Sequence, residues 1–342
     1  MHEFSPVSVI IPVYNEENAI IQCLESLIDG DYPLDNLEFI IADGGSSDRT
    51  LEVLKEFASK NKNVAVKIVN NAFKTQGYGL NIAIENADIK SEIILRADAH
   101  SIYPKNYILD CVKTLREVDA DNAGGVMVPV GETPFQKAVA FCMSHPIGVG
   151  NAKFHLGGYS GFVDTVYLGC FKKNIFEKIG LFDPEMTPNE DAELNLRILK
   201  SGGRIYLNSD IRVEYFPRNT MKKLIIQYFR YGRGRCRTFK KHGRFTSFRQ
   251  IVPPFWVVLT LFFIIGIVSV SKLFAIPLLM YSFILLSVSI KGALRNKDIG
   301  ILMSPICFIA MHYSWGAGFL IEQMKGLITF KLHKHACGRL SY

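Results

Sequence analysis

The sequence predicts an α/β domain, three layers around a mixed, mostly parallel sheet, followed by a carboxyl-terminal membrane-helix region. Short β-branched or apolar runs alternate with helically spaced segments over residues 7–97 in the order β-α-β-α-β-α-β. That order implies a mostly parallel sheet with right-handed crossovers. Farther along, the stretches 251–271, 273–290 and 299–321 contain no Asp, Glu, Lys or Arg. Each is close to the ~20 residues that a helix needs to cross a bilayer.

The first run, Val7-Ser-Val-Ile-Ile-Pro-Val13, is a strand that ends at Tyr14-Asn15-Glu16-Glu17. Over 18–29 the apolar residues Ile20, Ile21, Leu24, Leu27 and Ile28 fall at helical spacing, and Gly30 closes the helix. Leu37-Glu-Phe-Ile-Ile-Ala42 is the second strand, followed by Asp43-Gly-Gly-Ser-Ser-Asp48. Its two glycines allow close backbone approach, and Ser47 or Asp48 can cap a helix over 50–59. A third strand covers 64–69, a helix includes 79–86, and a fourth strand covers 91–97. Beyond them, 124–128 reads as a fifth strand, 135–143 as a helix and the glycine-rich 148–161 as a mobile loop. A helix over 192–200, with Leu194, Leu196, Ile198 and Leu199 on its apolar positions, ends at Gly202-Gly203. No internal repeat or low-complexity tract is present.

Charge is as localised as hydropathy. The chain has 342 residues with 39 Lys and Arg against 32 acids. The seven basic residues Arg233, Arg235, Arg237, Lys240, Lys241, Arg244 and Arg249 account for the whole excess. A nucleic-acid binder spreads its basic surface over the fold. A basic cluster just before an apolar span instead marks a cytoplasmic flank facing anionic lipid, and no nucleic-acid partner is expected. The 7 cysteines are odd in number and form no C-x-x-C pair. With no secretory leader read at the amino terminus, they are expected to be reduced thiols of a cytosolic domain.

The run Ile93-Ile-Leu95 is apolar without alternation, as in a buried parallel strand, and Asp98 and His100 follow where it ends. In open α/β sheets the carboxyl ends of the strands are where ligands bind. Asp98 and His100 can both reach one divalent cation; this donor pair suits Mn²⁺, whereas Mg²⁺ prefers oxygen ligands alone. The plainer alternative is a helix-capping Asp beside a surface His. Asn15/Glu16, Asp43 and Asp98/His100 all fall at strand ends, which suggests a nucleotide cleft with a metal. Neither G-x-x-x-x-G-K-[ST] nor G-x-G-x-x-G follows the first strand. The diphosphate must therefore be held by the metal and by basic side chains from elsewhere.

Three motifs in this order, Val7 through Glu16, Asp43-Gly-Gly-Ser-Ser-Asp48, and Asp98-Ala-His100 as a variant of D-x-D, resemble the inverting glycosyltransferases of family 2, which have the GT-A fold. Within that family the chain is similar to the succinoglycan-type, ExoA-like exopolysaccharide glycosyltransferases. Arg-x-Asp-Ala-His at 96–100, Val163-Asp-Thr-Val166 and Asn189-x-Asp-x-Glu-Leu-Asn195 carry that likeness. The resemblance implies a nucleotide-sugar site that includes Pro12, Tyr14, Asn15, Glu16, Asp43, Arg96, Asp98, Gln227 and Arg230. It also implies a metal, Mn²⁺ or Mg²⁺, on Asp98 and His100. Asp43 would face the nucleoside, since a carboxylate can accept the uracil ring N–H.

Inverting sugar transfer needs a carboxylate to take the acceptor hydroxyl proton. Glu190 and Asp191 stand at a helix amino terminus, where acids also simply complement the helix dipole. Resemblance to the family's E-D motif assigns Asp191 as the base, with Glu190 second. Gln227-Tyr-Phe-Arg230-Tyr231 resembles Q-x-x-R-W with Tyr in place of Trp, so Arg230 would neutralise the diphosphate leaving group. The same helix, with Leu224, Ile225, Tyr228 and Phe229, reads as interfacial, and Arg233 and Arg235 read as lipid contacts.

The expected organisation is a cytosolic catalytic domain over 1–220, an interfacial and basic juxtamembrane segment over 221–250, and a transmembrane region with a basic tail over 251–342. Two spans return the chain to the cytoplasm at Lys291-Gly-Ala-Leu-Arg-Asn-Lys297. The third stretch contains Pro305, His312, Gly316 and Gly318 and either spans or is re-entrant. A full third span would put the basic tail (Lys325, Lys331, Lys334, Arg339) outside, against the positive-inside rule. His312 could meet an acceptor diphosphate or pack between helices. The expected function is transfer of a hexose, glucose by family resemblance, from a UDP-sugar to a lipid-linked (polyprenyl diphosphate) saccharide in exopolysaccharide synthesis at the cell membrane. The competing expectations are a non-catalytic UDP-binding membrane scaffold and a processive polysaccharide synthase.

Overall fold

A computed structural model describes residues 4–245 and 247–337, with side chains described through Lys325. The chain forms two compact units. One comprises the residues up to Val128 and Ala152–Tyr215; the other comprises Pro129–Asn151 and the residues from Phe216 on.

The first unit is built on β1 (Val7–Val13), α1 (Ile20–Ile28), β2 (Leu37–Asp43), α2 (Thr50–Lys60), β3 (Ala65–Asn70), α3 (Gln76–Glu85), β4 (Ile93–Arg96) and α4 (Tyr107–Glu117). Next comes β5 (Asn122–Pro129), whose end leads into α5 (Pro134–Met143) and α6 (Pro146–Val149) of the second unit. The chain then returns through α7 (Lys153–Leu156), β6 (Gly161–Phe162), β7 (Tyr167–Lys172), α8 (Asn174–Ile179), α9 (Glu190–Lys200) and β8 (Ile205–Tyr215).

Strand order in the sheet is β3-β2-β1-β4-β7-β5-β8-β6. The first four strands are parallel, and β7 runs antiparallel between β4 and β5. Alternation along the strands separates two cores. Val7, Val9, Ile11 and Val13 of β1 pack with α1, α2 and α4 on one face. Ile10, Ile40 and Ile94 pack with residues of α3, α8 and α9 on the other. The β1–β4 ladder stops at the Ile10–Arg96 pair, two residues before Pro12, which has no N–H to contribute. Chain order reverses at β1/β4, so the carboxyl ends of these strands flank the topological switch point where α/β sheets hold ligands.

The sequence pattern did not mark β6, β7 or β8 as strands. In β7 the alternation is masked because all but the last residue are buried, as expected for a strand covered on both faces. The segment expected to be a loop over 148–161 instead carries the end of α6 and all of α7.

In the second unit, α5 and α6 join α10 (Met221–His242), α11 (Val252–Ser269), α12 (Ile276–Asn296) and α13 (Ser304–Cys337). Three helical stretches, Phe248–Ser269, Lys272–Asn296 and Ile299–Lys325, are long and apolar enough to cross a membrane. Thr133 and Gln136 form a capping box at the start of α5, and the Gln136 side chain donates to the Pro217 carbonyl at 3.1 Å. Lys137 pairs with Asp298 at 2.9 Å. Added Cβ atoms at Gly292 and Gly148 would meet Phe141 and Cys142, so both glycines are positions of close approach. The Lys137–Asp298 and Phe141–Gly292 contacts tie α5 to the apolar-helix region.

The glycines that left the third stretch open to a re-entrant reading have a packing reason. A Cβ on Gly316 would come within 2.5 Å of the Pro253 carbonyl oxygen, and one on Gly318 within 2.2 Å of that of Phe229. From Ser304 the backbone of α13 is one continuous helix. His312 takes the packing role: one ring nitrogen lies 2.8 Å from the Tyr281 hydroxyl and the other 2.8 Å from the Ile147 carbonyl oxygen. The carbonyl can only accept, so Nε2 carries the proton and Nδ1 accepts from Tyr281. Arg233, expected to contact lipid, instead pairs with Glu322 at 2.7 Å, and Arg237 joins the same carboxylate at 3.2 Å. Of the basic tail, Lys325 has a described side chain, those of Lys331 and Lys334 are not described, and Arg339 lies outside the described residues.

Candidate active site

The carboxyl ends of β1 and β2 are tied together by their own loops. Asp43, at the end of β2, is buried, and its carboxylate accepts from Gly45 N–H at 3.0 Å, Ser46 N–H at 3.2 Å and the Ser46 hydroxyl at 2.6 Å. Gly45 has φ +77°, a conformation that needs glycine. Asn15, just after β1, sits at φ +55°, a region that Asn tolerates better than most residues. Its N–H donates to the Ser46 hydroxyl at 2.9 Å, and its side-chain oxygen accepts the Ser47 N–H at 2.8 Å. Glu16 donates its N–H to Thr50 Oγ1 at 2.8 Å, and Asp48 caps the next helix by accepting the Thr50 N–H at 3.0 Å. Tyr14 is exposed, with its ring 3.5 Å from the Cβ position of Gly44. Lys74, in the turn between β3 and α3, brings its side chain to within 4 Å of the Cβ position of Gly45.

At the end of β4, Arg96 is buried and its guanidinium serves two acids: Asp98 Oδ1 at 3.4 Å and Glu190 Oε1 at 3.9 Å. Burial works against its charge, and the carboxylates of Asp98, Glu190 and Asp191 outweigh that and raise the guanidinium pKa. The Asp98 N–H donates to the Tyr103 hydroxyl at 2.8 Å, and the Cys23 thiol points at the Asp98 carbonyl at 3.5 Å. His100 is exposed, with Nδ1 3.3 Å from Glu16 Oε1, so the ends of β1 and β4 meet through this pair.

Glu190 and Asp191 open α9. Glu190 is 3% exposed, and its Oε2 has no partner among the described residues. Burial pushes its carboxyl up to about 7; Arg96 opposes that rise and Asp191 adds to it. Asp191 is half-buried, with Oδ1 accepting the Ala192 N–H at 2.7 Å. Three acids around one guanidinium leave the locus short of positive charge, which suits a cation and a polarised hydroxyl.

The first unit thus brings Asp98, Arg96, Glu190 and Asp191 together, His100 to Glu16, and Asn15 to the Asp43 turn. Pro12 stays within β1, its Cβ 3.3 Å from the Cβ position of Gly79 on α3. Gln227 and Arg230 belong to the second unit. Gln227 is buried and donates to the Tyr231 hydroxyl at 2.9 Å, and Arg230 is exposed. Sequence reasoning did not single out Tyr103, Cys23 or Lys74. Each acts through a contact with backbone or with a glycine face, which leaves no motif to read.

Among the described residues no group of three or more His, Cys, Asp or Glu side chains is arranged to hold a metal ion. Asp98 and His100 could supply two ligands to an ion whose remaining ligands arrive with a substrate, as oxygen-rich diphosphates supply them. The weak 3.4 Å contact from Arg96 leaves Asp98 able to change partner.

Residues 8–180 match the model of the family described as glycosyl transferase family 2. The succinoglycan biosynthesis protein ExoA of Rhizobium meliloti is 30% identical, over 92% of this chain and 94% of its own length. A Methanococcus voltae enzyme, a dolichyl N-acetyl-α-D-glucosaminyl phosphate 3-β-D-2,3-diacetamido-2,3-dideoxy-β-D-glucuronosyltransferase, is 29% identical over 95% of this chain and 99% of its own. Among solved structures, a mannosyltransferase from Pyrobaculum calidifontis in complex with GDP-Man and Mn²⁺ is similar in fold. Its TM-score is 0.61 at 18% identity, covering 91% of this chain and 86% of that one.

Proposed function

The chain belongs to glycosyl transferase family 2, and from that premise we propose a membrane-anchored, inverting, metal-dependent hexosyltransferase with its catalytic unit on the cytoplasmic side. Its donor is a UDP-sugar, with glucose the first sugar to test. Its acceptor is a lipid-linked saccharide, a polyprenyl diphosphate in an exopolysaccharide pathway. The observation that carries this reading is the buried Arg96 shared by Asp98 and Glu190. It ties the strand end suited to a metal and diphosphate to the helix start that carries the acid pair. The names of the Rhizobium and Methanococcus relatives support an exopolysaccharide role and a lipid-linked acceptor, respectively.

In this reading Asp98 and His100 hold Mn²⁺ or Mg²⁺, which neutralises charge on the departing diphosphate. Asp43 faces the base: its carboxylate has about four acceptor directions, and three donors of its own turn reach them, the Ser46 N–H being shared between both oxygens at 3.2 Å. The uracil N–H is suited to the direction that the shared Ser46 N–H can give up. Asn15 and Glu16 fix the loop beneath the nucleoside, with Pro12 and Tyr14 beside it. Asp191 takes the proton of the acceptor hydroxyl as its oxygen bonds to the anomeric carbon. The bond from that carbon to the diphosphate oxygen breaks on the opposite face, and the electron pair leaves with UDP. Arg96 holds the carboxylate of Asp98 in place and opposes the rise that burial imposes on Glu190 beside the base. Arg230 on α10, with Gln227 beside it, is assigned to the leaving diphosphate. An acceptor seated in the membrane gives a reason for the three apolar helices to be joined to the catalytic unit.

The test is UDP release by the detergent-purified full chain with a panel of UDP-sugars and membrane lipid extract, with Mn²⁺, Mg²⁺ or EDTA. Metal-dependent release from one donor, lost in Asp191→Asn while UDP still binds, is the expected result. UDP binding without turnover of any donor would overturn the reading in favour of a scaffold.

A further inference from the structure

The approach to Glu190–Asp191 is clamped from two sides. The amide of Asn81, on α3, binds the backbone of Phe182 twice. Its nitrogen donates to the Phe182 carbonyl at 2.8 Å, and its oxygen accepts the Phe182 N–H at 2.9 Å. One turn earlier on α3, Gly77 lies so near the loop that an added Cβ would stand 2.9 Å from Pro184 Cα and 3.2 Å from Thr187 Oγ1. From the other side Arg197 of α9 donates to the carbonyls of Ile179 at 2.6 Å, Gly180 at 3.1 Å and Leu181 at 2.7 Å. Its remaining donors pair with the fully buried Glu193. α3 also presses against the nucleotide end of the sheet: a Cβ on Gly79 would meet Pro12 at 3.3 Å and Ala42 at 3.6 Å. One helix therefore touches both the strand ends assigned to the donor and the loop that delivers the acid pair. A two-point amide pair fixes register as well as distance.

We propose that Asn81, with Gly77, is a positioning residue for Asp191. Through the 182–189 loop it sets the distance between the base and the donor whose nucleoside is assigned to the ends of β1 and β2. This rests on the assignment of Asp191 as the base. A misplacement of about 1 Å can cost on the order of 100-fold in rate. Loosening the loop should therefore lower kcat while leaving the donor site intact.

The experiment measures kcat, donor KM, UDP affinity and unfolding midpoint of the full chain in detergent for Asn81→Ala, Gly77→Ala, Asn86→Ala and Asp191→Asn. Asn86 is the control, because among the described residues its side chain binds only the Ile82 carbonyl of the same helix, at 2.9 Å. The expected result is a kcat lowered about 10- to 100-fold in Asn81→Ala and Gly77→Ala. Donor KM and UDP affinity stay within about twofold, and Asn86→Ala behaves as the parent. If Asn81→Ala does not fold, Gly77→Ala alone decides. The proposal is overturned by a parental kcat in the folded variants, by kcat and UDP affinity falling together, or by an equal loss in Asn86→Ala. If Asp191→Asn is inactive, those outcomes remove only the positioning role. If Asp191→Asn turns over normally, the base assignment fails and the positioning role falls with it.

Discussion

Arg96 and Glu190 face each other across 3.9 Å, each less than a tenth exposed, and Asp98 shares the same guanidinium from 3.4 Å. Removing one partner of a buried ion pair leaves the other charge uncompensated, at a cost of about 3–5 kcal/mol. Here Arg96→Leu leaves two acids behind and Glu190→Gln leaves none. Arg96→Leu should therefore lower stability far more than Glu190→Gln, which urea unfolding of the detergent-solubilised chain would measure.

The same pair sets a pH dependence. Burial raises Glu190 from 4.5 to about 7. A carboxyl raised in the fold binds its proton more tightly there than in the unfolded chain. Its stabilising contribution is thus fully present below about 4.5 and is lost as the pH rises to about 7. Glu190→Gln lacks this loss. Without metal or donor, the stability of the parent should fall relative to Glu190→Gln across that window and run parallel to it at higher pH. Parallel curves throughout would show that Glu190 is ionised in the fold.

His100 lies at the strand end with its Nδ1 on Glu16. If it holds the ion with Asp98, then His100→Ala should raise the Mn²⁺ concentration for half-maximal UDP release by roughly tenfold or more, since even residues that only orient a metal's ligands are worth about 10- to 100-fold. His100→Asp should restore activity and shift preference from Mn²⁺ toward Mg²⁺, since the donor set becomes all oxygen. Unchanged metal dependence in both variants would remove His100 from the site.

Much of the first unit was legible in the sequence because its signals are local. An apolar strand followed by a polar strand end recurs at Val13–Tyr14, Ala42–Asp43 and Ala97–Asp98, and those ends are where the candidate site lies. What stayed hidden is non-local. Arg96 reads as one charge in a strand until the fold sets Glu190 against it, 94 positions away. The docking of Asn81 on Phe182 is equally silent, because its partner is backbone. The 129–151 stretch resembles ordinary catalytic-domain sequence, yet Phe141, Gln136 and Lys137 bind residues of the apolar-helix unit. Gly316 and Gly318 suggested a broken span because glycine weakens isolated helices, whereas in the folded chain both are points of close helix contact.

The Asp43 turn offers a test confined to the donor side. Asp43→Ala would strip the acceptor from two backbone N–H groups and one hydroxyl, and unsatisfied groups of that kind cost about 1–3 kcal/mol each when buried. The Gly45 loop should loosen, and donor KM should rise at least tenfold while the metal requirement is retained. Asp43→Asn keeps an acceptor oxygen but presents an N–H₂ where uracil would offer its own N–H. It should hold the turn better than Ala and still bind UDP poorly. Equal UDP affinity in Asp43→Asn and the parent would remove Asp43 from base recognition.

The last prediction concerns the contact between α10 and α13. A Cβ on Gly232 would fall 1.9 Å from the Trp315 carbonyl oxygen, and one on Gly318 would fall 2.2 Å from that of Phe229. Small residues at such a crossing let two backbones approach closely, and adding volume forces them apart. Gly232→Val should break the register that brings Arg233 and Arg237 onto Glu322, which lie 2.7 and 3.2 Å apart in the intact pair of helices. The expected outcome is a lower thermal midpoint in detergent and reduced UDP release, since α10 also carries Gln227 and Arg230. Gly243 ends α10 with φ +70° and, among the described residues, has no atom within 4 Å of its Cβ position. Gly243→Asn, which tolerates that backbone, should leave both measurements near the parental values. Equal loss in the two variants would point to strain along α10 rather than to its packing on α13.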